Sequence, residues 1–257
     1  MKFPMMIATA VTALSLGQAA HANDPLQVGI SGEPYPPFTY KAASGDWTGF
    51  EVELAHAICA AMERECEIAP TGWSGIIPSL NAGRIDMIMN SMSITEKRQR
   101  VIDFTRPYYF TPGAYVAASD RELDIPDGLD GLVIGVQGAT TNATYARREL
   151  RDTGVEIRLY DQAEQVNNDL LSGRLEVILA DEIAMAQFLE RDEAEGFEIK
   201  ATAPQHEAYG EGIGIGLRQE ADALEADLNE AIAAVIEDGT CASLSEEYLG
   251  ADVCVYD

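Results

Sequence analysis

The sequence has 257 residues, with 17 basic and 43 acidic side chains and a formal net charge of −26 at pH 7. Nucleic acid and anionic membrane surfaces repel a protein this acidic, so the composition opposes both as partners. Solubility in a salty medium explains the charge more simply than a specific cationic partner does.

The first 22 residues have the pattern of a secretory signal peptide. Lys2 precedes an apolar run over residues 5–16, and Ala20, His21 and Ala22 then supply a small-residue cleavage site. The apolar run is shorter than the roughly 20 residues of a membrane-spanning helix. We predict cleavage after Ala22, which leaves 235 residues with a net charge of −27, because the signal contains one lysine and no acid.

After the signal, short apolar strands alternate with amphipathic helices, a pattern typical of α/β folds with largely parallel sheets. The predicted strands are 26–30, 85–89, 132–136, 156–160, 176–179 and 212–217. The predicted helices are 50–62, 74–82, 142–150, 163–171, 182–190 and 221–237. Gly83, Gly173 and Gly239 stand where helix C-terminal caps are expected.

One local pattern occurs twice. Residues 80–89 and 170–179 both combine a helix end, a capping glycine and a strand, and they lie 90 positions apart. Because ligands of open parallel sheets bind beyond the carboxyl ends of the strands, we predict a cleft with Ser91 on one wall and Asp181 on the other. The alternative is that two unrelated helix-glycine-strand turns resemble each other by convergence.

The groups after these strands suit a molecule that carries both a carboxylate and an ammonium group, as a free amino acid does. Arg98 follows a run of small hydroxyl residues, and its planar guanidinium can bind a carboxylate through two parallel bonds. Asp181 is a compact carboxylate that suits an ammonium group. The alternatives are a surface ion pair on a helix for Arg98 and a helix N-cap for Asp181.

Three further segments contribute to the predicted cleft. Thr140 and Thr141 open a helix, whose N-terminal N–H groups favour a carboxylate, although the segment could be only a capped helix start. Tyr35 lies in a proline-stiffened loop after the first strand and would form an aromatic wall. Trp73 would form another wall, with a core position as the alternative.

All four cysteines lie in the predicted mature chain, and export to an oxidising compartment predicts disulfides. Cys59 lies close to Cys66, and Cys241 lies close to Cys254, so we favour these local pairs among the three possible connectivities. A zinc site is the competing explanation, but neither of the two histidines after the signal stands at metal-ligand spacing from a cysteine pair. We expect no metal and no cofactor.

In their order along the chain, these motifs resemble the family 3 solute-binding proteins. The resemblance is strongest to the histidine and lysine/arginine/ornithine binders of ABC importers, and it covers nearly the whole mature chain. The matching segments are Tyr35 to Phe38, Gly49 to Glu51, Cys59 to Cys66, Trp73, Ser91 to Arg98, Asp103 and Phe104, Gly138 to Thr141, Ala180 and Asp181, and Gly212 to Leu217.

The resemblance implies a two-lobed, type II periplasmic-binding-protein fold of the Venus flytrap kind, in which each lobe is a mostly parallel sheet flanked by helices. Lobe 1 would be discontinuous, with residues 24–110 and 209–257, and lobe 2 would span 111–208. Crossing segments near 109–115 and 203–210 would form a two-segment hinge. The protein would be a periplasmic monomer that delivers a polar amino acid to a membrane complex of ABC permease and ATPase.

The resemblance also implies roles for individual residues. Arg98 and Thr141 would bind the ligand carboxylate. The ammonium group would bind Ser91, Ser93 and Asp181, and the side chain would contact Tyr35 and Trp73. Asn90 and Thr140, which adjoin Ser91 and Thr141, are further candidates for ligand binding. Cys59 and Cys66 match a disulfide of the histidine-type members.

The chain departs from the family pattern near the expected site. Basic-amino-acid binders commonly carry an acid three residues before the loop tyrosine, where this chain has Gly32, with Glu33 one residue later. A lysine or arginine preference therefore depends on whether Glu33 turns into the cleft. Asn90 stands where serine or alanine is usual, Ser74 replaces a frequent aspartate and Ala139 replaces a frequent glycine.

Other functions are compatible with the same fold. A periplasmic enzyme similar to cyclohexadienyl dehydratases is one, because Glu33 could act as a general acid in the cleft; the sequence has neither a nucleophile elbow nor an HExxH motif. A receptor sensory module is another, although such modules normally continue into a membrane helix. Within the binding class, a neutral or an acidic amino acid is the alternative ligand.

Overall fold

The computed structural model describes residues 24–254. The predicted signal peptide lies outside this range, so cleavage after Ala22 stays a prediction. Between residues 24 and 254, the structure contains no helix with the length and apolar character that crossing a bilayer requires.

The described chain alternates strands and helices. Its strands are β1 (Leu26–Ser31), β2 (Tyr40–Lys41), β3 (Trp47–Thr48), β4 (Cys66–Thr71), β5 (Met87–Ile88), β6 (Asp103–Phe104), β7 (Gly113–Ala118), β8 (Val133–Gln137), β9 (Glu156–Tyr160), β10 (Val177–Asp181), β11 (Phe197–Thr202) and β12 (Gly216–Leu217). Its α-helices are α1 (Phe50–Ala61), α2 (Ile76–Asn81), α3 (Glu96–Gln99), α4 (Thr141–Glu149), α5 (Ala163–Leu171), α6 (Glu182–Leu189), α7 (Asp222–Glu237) and α8 (Thr240–Leu249).

The strands form two five-stranded sheets, with the orders β4-β1-β5-β12-β6 and β11-β7-β10-β8-β9. In the first sheet, β12 pairs antiparallel with both of its neighbours, and the other pairs are parallel. In the second sheet, β7 is antiparallel to both of its neighbours. Four strands of each sheet therefore run in one direction, and the two-lobed, mostly parallel α/β fold is confirmed. We call the part built on the first sheet lobe 1 and the part built on the second sheet lobe 2.

The chain passes between the lobes twice, from β6 to β7 and from β11 to β12. These passages coincide with the predicted crossing segments near 109–115 and 203–210. Each antiparallel strand is the first that its lobe receives after a crossing. Tyr109 pairs with Ile213 and with Cys254 in isolated bridges, so the first crossing lies against the segment that follows the second.

Helices cover both faces of each sheet, because each helix presents an apolar stripe to it. In lobe 1, Leu54 and Ile58 of α1 lie one turn apart and pack with Ile232 of α7 in one core, while Ile76 and Leu80 of α2 belong to the core on the opposite face. Lobe 2 is built in the same way, with α4 in one core and α5 and α6 in the other.

The repeated sequence pattern is also a structural repeat. Gly83 follows α2 with φ 68°, and Gly173 follows α5 with φ 71°. This left-handed conformation suits glycine, so both predicted C-terminal caps are confirmed. In each lobe the helix and its glycine lead into a strand parallel to its neighbour, β5 beside β1 and β10 beside β8.

Both predicted disulfides are present. Cys59 at the end of α1 is bonded to Cys66 at the start of β4, and Cys241 in α8 is bonded to Cys254. The two bridges span 7 and 13 positions, respectively.

Removing the longer bridge is expected to cost more stability, because the restriction that a disulfide places on the unfolded chain grows with the logarithm of the loop length. Serine at both Cys241 and Cys254 should lower the free energy of unfolding by about 3 kcal/mol, and serine at both Cys59 and Cys66 by about 2.5 kcal/mol. Urea unfolding of the two double variants measures both losses. Unchanged midpoints would show that neither bridge constrains the unfolded state.

Candidate functional site

A cleft between the lobes contains all ten residues that the sequence singled out for ligand binding. These are Glu33, Tyr35, Trp73, Asn90, Ser91, Ser93, Arg98, Thr140, Thr141 and Asp181. The cleft also contains residues that the sequence did not single out, namely Ser31, Pro34, Thr111, Pro112, Gly113, Gln137, Asn142, Tyr209 and Ile213. Their place in the cleft is a structural fact, whereas their part in binding a ligand stays a prediction.

The lobes are closed on each other around the cleft. Three side chains donate hydrogen bonds across it: Trp73 Nε1 to Gly138 O at 3.2 Å, Arg98 Nη2 to Ala139 O at 3.3 Å, and Gln162 Nε2 to Glu33 Oε1 at 3.3 Å. Because the acceptors and donors belong to different lobes, opening of the hinge would break all three bonds.

Arg98 points into the cleft from the short helix α3, which Thr95 caps. Its Nη1 donates to Ser93 O at 2.8 Å, and the guanidinium carbon lies 5.6 Å from the centre of the Trp73 ring, a cation–π distance. Burial lowers the pKa of Arg98 to about 10, so the side chain remains charged at neutral pH. Glu96 of the same helix pairs with Arg100 instead, at 3.9 Å, which removes the surface ion pair as the explanation for Arg98.

Asp181 lines the cleft from lobe 2. It ends β10 and is the N-cap of α6, where Oδ1 accepts a hydrogen bond from Ala184 N–H at 3.1 Å. The capping role proposed as the alternative is therefore real, yet the same carboxylate also lines the cleft. Burial raises the pKa of Asp181 to about 6, although the bond from Ala184 acts in the opposite direction. A buried acid of this kind is stabilised in its charged form by a nearby cation.

Asn90, Ser91 and Ser93 follow β5 on the lobe 1 wall. Asn90 Oδ1 accepts a hydrogen bond from Ser31 N–H at 2.6 Å and so joins the ends of β1 and β5. Ser91 adopts a left-handed conformation with φ 48°, which is unusual for a residue other than glycine. Ser93 is buried, and its carbonyl accepts the bond from Arg98.

Thr140 and Thr141 begin α4 on the lobe 2 wall. The Thr140 hydroxyl accepts from Ala143 N–H at 3.0 Å and donates to Gln137 O at 2.7 Å. The Thr140 side chain thus serves as a helix cap, as the alternative interpretation of this segment held. Thr141 is the first helical residue, and the partial positive charge of the helix N-terminus lies at this point of the cleft.

Glu33 turns into the cleft, which the sequence left open. Its Oε2 accepts a hydrogen bond from Ser31 Oγ at 2.7 Å, and its Oε1 accepts the bond from Gln162. Nearby, the Tyr35 ring stacks on Phe38 at 5.6 Å between ring centres. The cleft therefore has a second carboxylate, on the lobe 1 wall beside an aromatic ring.

A buried acid behind the cleft was missed in the sequence. Glu51, in the first turn of α1, is fully buried. It accepts hydrogen bonds from Ser91 N–H at 2.5 Å, Tyr108 OH at 2.6 Å and Tyr109 OH at 3.1 Å. Burial raises its pKa to about 7, and the three bonds oppose that rise.

A signal for Glu51 is nevertheless present in the sequence. Acids in the first turn of a helix are usually explained by the helix dipole. However, Glu51 stands three, four and seven positions before Leu54, Ala55 and Ile58. This spacing places it on the apolar face of α1, where an ionisable group requires buried partners.

Known proteins resemble this chain over nearly its full length. The profile of the bacterial extracellular solute-binding proteins, family 3, matches residues 26–251. The L-arginine-binding protein of Pseudomonas aeruginosa is 35% identical over 98% of both chains, and the histidine-binding periplasmic protein of Escherichia coli is 33% identical over 98% of this chain and 99% of that one. Among solved structures, an ancestral arginine-binding protein bound to arginine superposes with a TM-score of 0.82 and 28% identity, over 90% of this chain and 100% of the other.

The family match begins at β1 and ends just after α8. It therefore includes both sheets, both crossings and both walls of the cleft. The chain belongs to the bacterial extracellular solute-binding proteins of family 3.

Proposed function

We propose that this protein captures a free L-amino acid with a basic side chain and delivers it to an ABC importer. The observation that carries the proposal is the pair of opposite charges across the cleft, Arg98 from lobe 1 and Asp181 from lobe 2. A zwitterion has complementary charges at its two ends. The arginine- and histidine-binding relatives support a basic side chain, and so does Glu33 in the cleft.

In the proposed complex, the ligand carboxylate binds Arg98 and the N-terminal N–H groups of α4 at Thr141. A guanidinium has five N–H donors, and two of those of Arg98 go to the carbonyls of Ser93 and Ala139, so three remain for a ligand. The ammonium group binds Asp181 with Ser91 and Ser93 beside it. The side chain lies between Tyr35 and Trp73 and ends near Glu33.

The energies are sufficient for tight binding if the lobes close. Charge-assisted hydrogen bonds contribute about 1.5 to 3 kcal/mol each, so four contribute roughly 6 to 12 kcal/mol. Micromolar affinity requires about 8 kcal/mol, and the lost freedom of the ligand opposes binding by several kcal/mol. Both walls must therefore act together, which hinge closure around the ligand achieves.

A thermal unfolding screen with free L-amino acids tests the proposal. Arginine, lysine, ornithine or histidine should give the largest shift, because a ligand at 100 times its Kd adds about 2.7 kcal/mol of stability. A neutral or acidic amino acid that gives the largest shift would contradict the basic preference. The absence of a shift with every amino acid would contradict the function itself.

Glu33→Gln is expected to weaken the binding of L-arginine about tenfold, because one charge-assisted hydrogen bond is lost. The affinity for L-citrulline, which has a side chain of the same length without the charge, should change less than threefold. Calorimetric titration of both compounds measures the difference. Glu67→Gln is the matched control, because Glu67 also accepts from a glutamine amide, that of Gln27 at 3.0 Å, but outside the cleft. Equal losses for arginine and citrulline would remove Glu33 from the side-chain site.

The finer assignments belong to the same proposal. We propose that the protein is not an enzyme, so that prephenate and arogenate remain unchanged on incubation with it. We further propose that it is a monomer that works in the periplasm after removal of residues 1–22. The proposed lobe bounds are 24–110 with 209–257 for lobe 1 and 111–208 for lobe 2, in agreement with the two crossings.

A further inference from the structure

A chain of polar groups connects the buried Glu51 to the cleft. The Tyr109 hydroxyl oxygen lies 3.1 Å from Glu51 Oε1 and 2.9 Å from Ser91 Oγ. The other carboxylate oxygen of Glu51 accepts the Ser91 backbone N–H at 2.5 Å. Glu51 and Tyr109 are fully buried, whereas Ser91 lines the cleft.

While Glu51 is ionised, the number of protons sets the direction of the hydrogen bonds between Glu51, Tyr109 and Ser91. An ionised Glu51 can only accept hydrogen bonds, and a tyrosine hydroxyl has a single proton to donate. A charged acceptor forms the stronger bond, so the Tyr109 proton goes to Glu51. The Tyr109 hydroxyl is placed to donate to either of two acceptors, Glu51 Oε1 or Ser91 Oγ. Once its one proton goes to Glu51, the Ser91 hydroxyl has to be the donor in the contact between Tyr109 and Ser91. In this state the Ser91 proton points away from the cleft, and the lone pairs of Ser91 Oγ are free to accept from a ligand.

We propose that Glu51 is a positioning residue that acts through Tyr109 to make Ser91 Oγ an acceptor for the α-ammonium group of the ligand. The inference rests on the proposed function, in which the ligand is an amino acid. Glu51 also holds the Ser91 backbone N–H, which fixes Ser91 in its left-handed conformation. The carboxylate therefore sets both the place and the hydrogen-bond direction of the serine.

The surroundings of Glu51 agree with a cationic group arriving nearby. Tyr108 and Tyr109 face it from the first crossing, and the electrostatic influence of Glu51 and of Asp181 reaches Tyr35. The negative charge of Asp181 raises the pKa of Glu51 further. These neighbours are neutral or negative, so an ammonium group at Ser91 supplies the positive charge that favours the ionised form of Glu51.

Glu51→Gln tests the direction of the hydrogen bonds between Glu51, Tyr109 and Ser91. The Ser91 N–H needs an acceptor, so the glutamine oxygen should face it and the glutamine NH₂ group should face the tyrosines. Tyr109 then accepts a hydrogen bond from the glutamine NH₂ group and donates its own proton to Ser91 Oγ. The Ser91 proton would consequently turn toward the cleft. We expect L-arginine to bind at least about tenfold more weakly, by calorimetric titration. The analogue without the α-ammonium group, 5-guanidinopentanoate, should change less than threefold.

Two double variants provide a matched comparison. Tyr108 and Tyr109 are both buried and both donate to Glu51 Oε1, but only Tyr109 contacts Ser91. Adding Tyr109→Phe to Glu51→Gln should increase the arginine affinity at least threefold over that of Glu51→Gln alone. The reason is that the Tyr109 hydroxyl, which would donate to Ser91 in Glu51→Gln, is then absent. Adding Tyr108→Phe should not increase the arginine affinity.

The outcomes separate this inference from the proposed function. Equal weakening of arginine and its analogue, or equal effects of the two tyrosine substitutions, would show that Glu51 has only a structural role. If Glu51→Gln does not fold, the single variants decide, and Tyr109→Phe should weaken arginine at least threefold more than Tyr108→Phe does. If the wild-type protein prefers an amino acid without a basic side chain, the proposed basic preference is wrong. The Glu51 variants are then tested with that amino acid and its analogue without the α-ammonium group, in place of L-arginine and 5-guanidinopentanoate.

Discussion

Arg98→Ala is expected to weaken the binding of every amino acid that this protein accepts by at least about 30-fold, since losing one partner of a buried charge pair costs about 2 to 5 kcal/mol. The effect should not depend on the ligand side chain, because the guanidinium binds the carboxylate that all amino acids share. Calorimetric titration with the preferred ligand and two weaker ligands measures it.

Arg100→Ala is the control for this variant. Arg100 lies two residues away and has the same charge, but its side chain is 77% exposed and pairs with Glu96. We expect its affinity to remain within threefold of the wild-type value, because exposed ion pairs contribute little. An unchanged affinity in Arg98→Ala would remove Arg98 from the site.

Asp181→Asn is expected to weaken amino acid binding about 100-fold for the same reason at the opposite end of the ligand. Asparagine and aspartate are similar N-caps, so the start of α6 should remain stable and the loss should appear in affinity alone. Titration with an amino acid and with its analogue without the ammonium group measures the effect. The analogue should lose much less, because it has no positive charge for Asp181 to bind.

The pH dependence of binding provides a second measure of Asp181. Its pKa is raised to about 6 by burial, and only the ionised form attracts an ammonium group. Wild-type affinity should therefore fall as the pH decreases through 6, and Asp181→Asn should remove this part of the decrease. Glu182→Gln is the control, because Glu182 accepts from Thr202 Oγ1 and lies outside the cleft. The charge of Glu182 adds to the raised pKa of Asp181, so this variant should move the decrease to lower pH without removing it. An equal effect of Glu182→Gln would contradict the role of Asp181.

The fold and the position of the cleft could be predicted because the signals are local. A helix, a left-handed glycine and a strand follow one another within ten residues at Gly83 and again at Gly173. Two copies of this pattern define two sheets, and polar residues at both strand ends define the walls. The disulfides were also local, with partners 7 and 13 positions apart.

Eight of the α-helices and strands between residues 24 and 254 were missed. Four of them, β2, β3, β6 and α3, contain only two to four residues, and the four longer ones have sequences that are weak signals. β4 and β11 are edge strands in which partly buried and exposed residues mix, so they lack a continuous apolar run. β7 is buried but contains a glycine and three alanines, and its first residues were assigned to the hinge because of the family resemblance. The polar helix α8 shows only a weak apolar stripe.

The hydrogen bonds within the site could not be predicted, because the residues that form them meet only in the folded protein. Glu51 contacts Tyr108 and Tyr109 across 57 and 58 positions, and Glu33 contacts Gln162 across 129. No local pattern specifies which distant hydroxyl or amide will face a given carboxylate.

A crystal structure of the protein with L-arginine tests the central claim most directly, namely that one ligand is held by opposite charges from the two lobes. We expect the α-carboxylate within about 3 Å of the Arg98 guanidinium and the α-ammonium group within about 3 Å of Asp181, the normal range of such bonds. A ligand whose two charged groups both contact a single lobe, or which binds outside the cleft, would contradict the account.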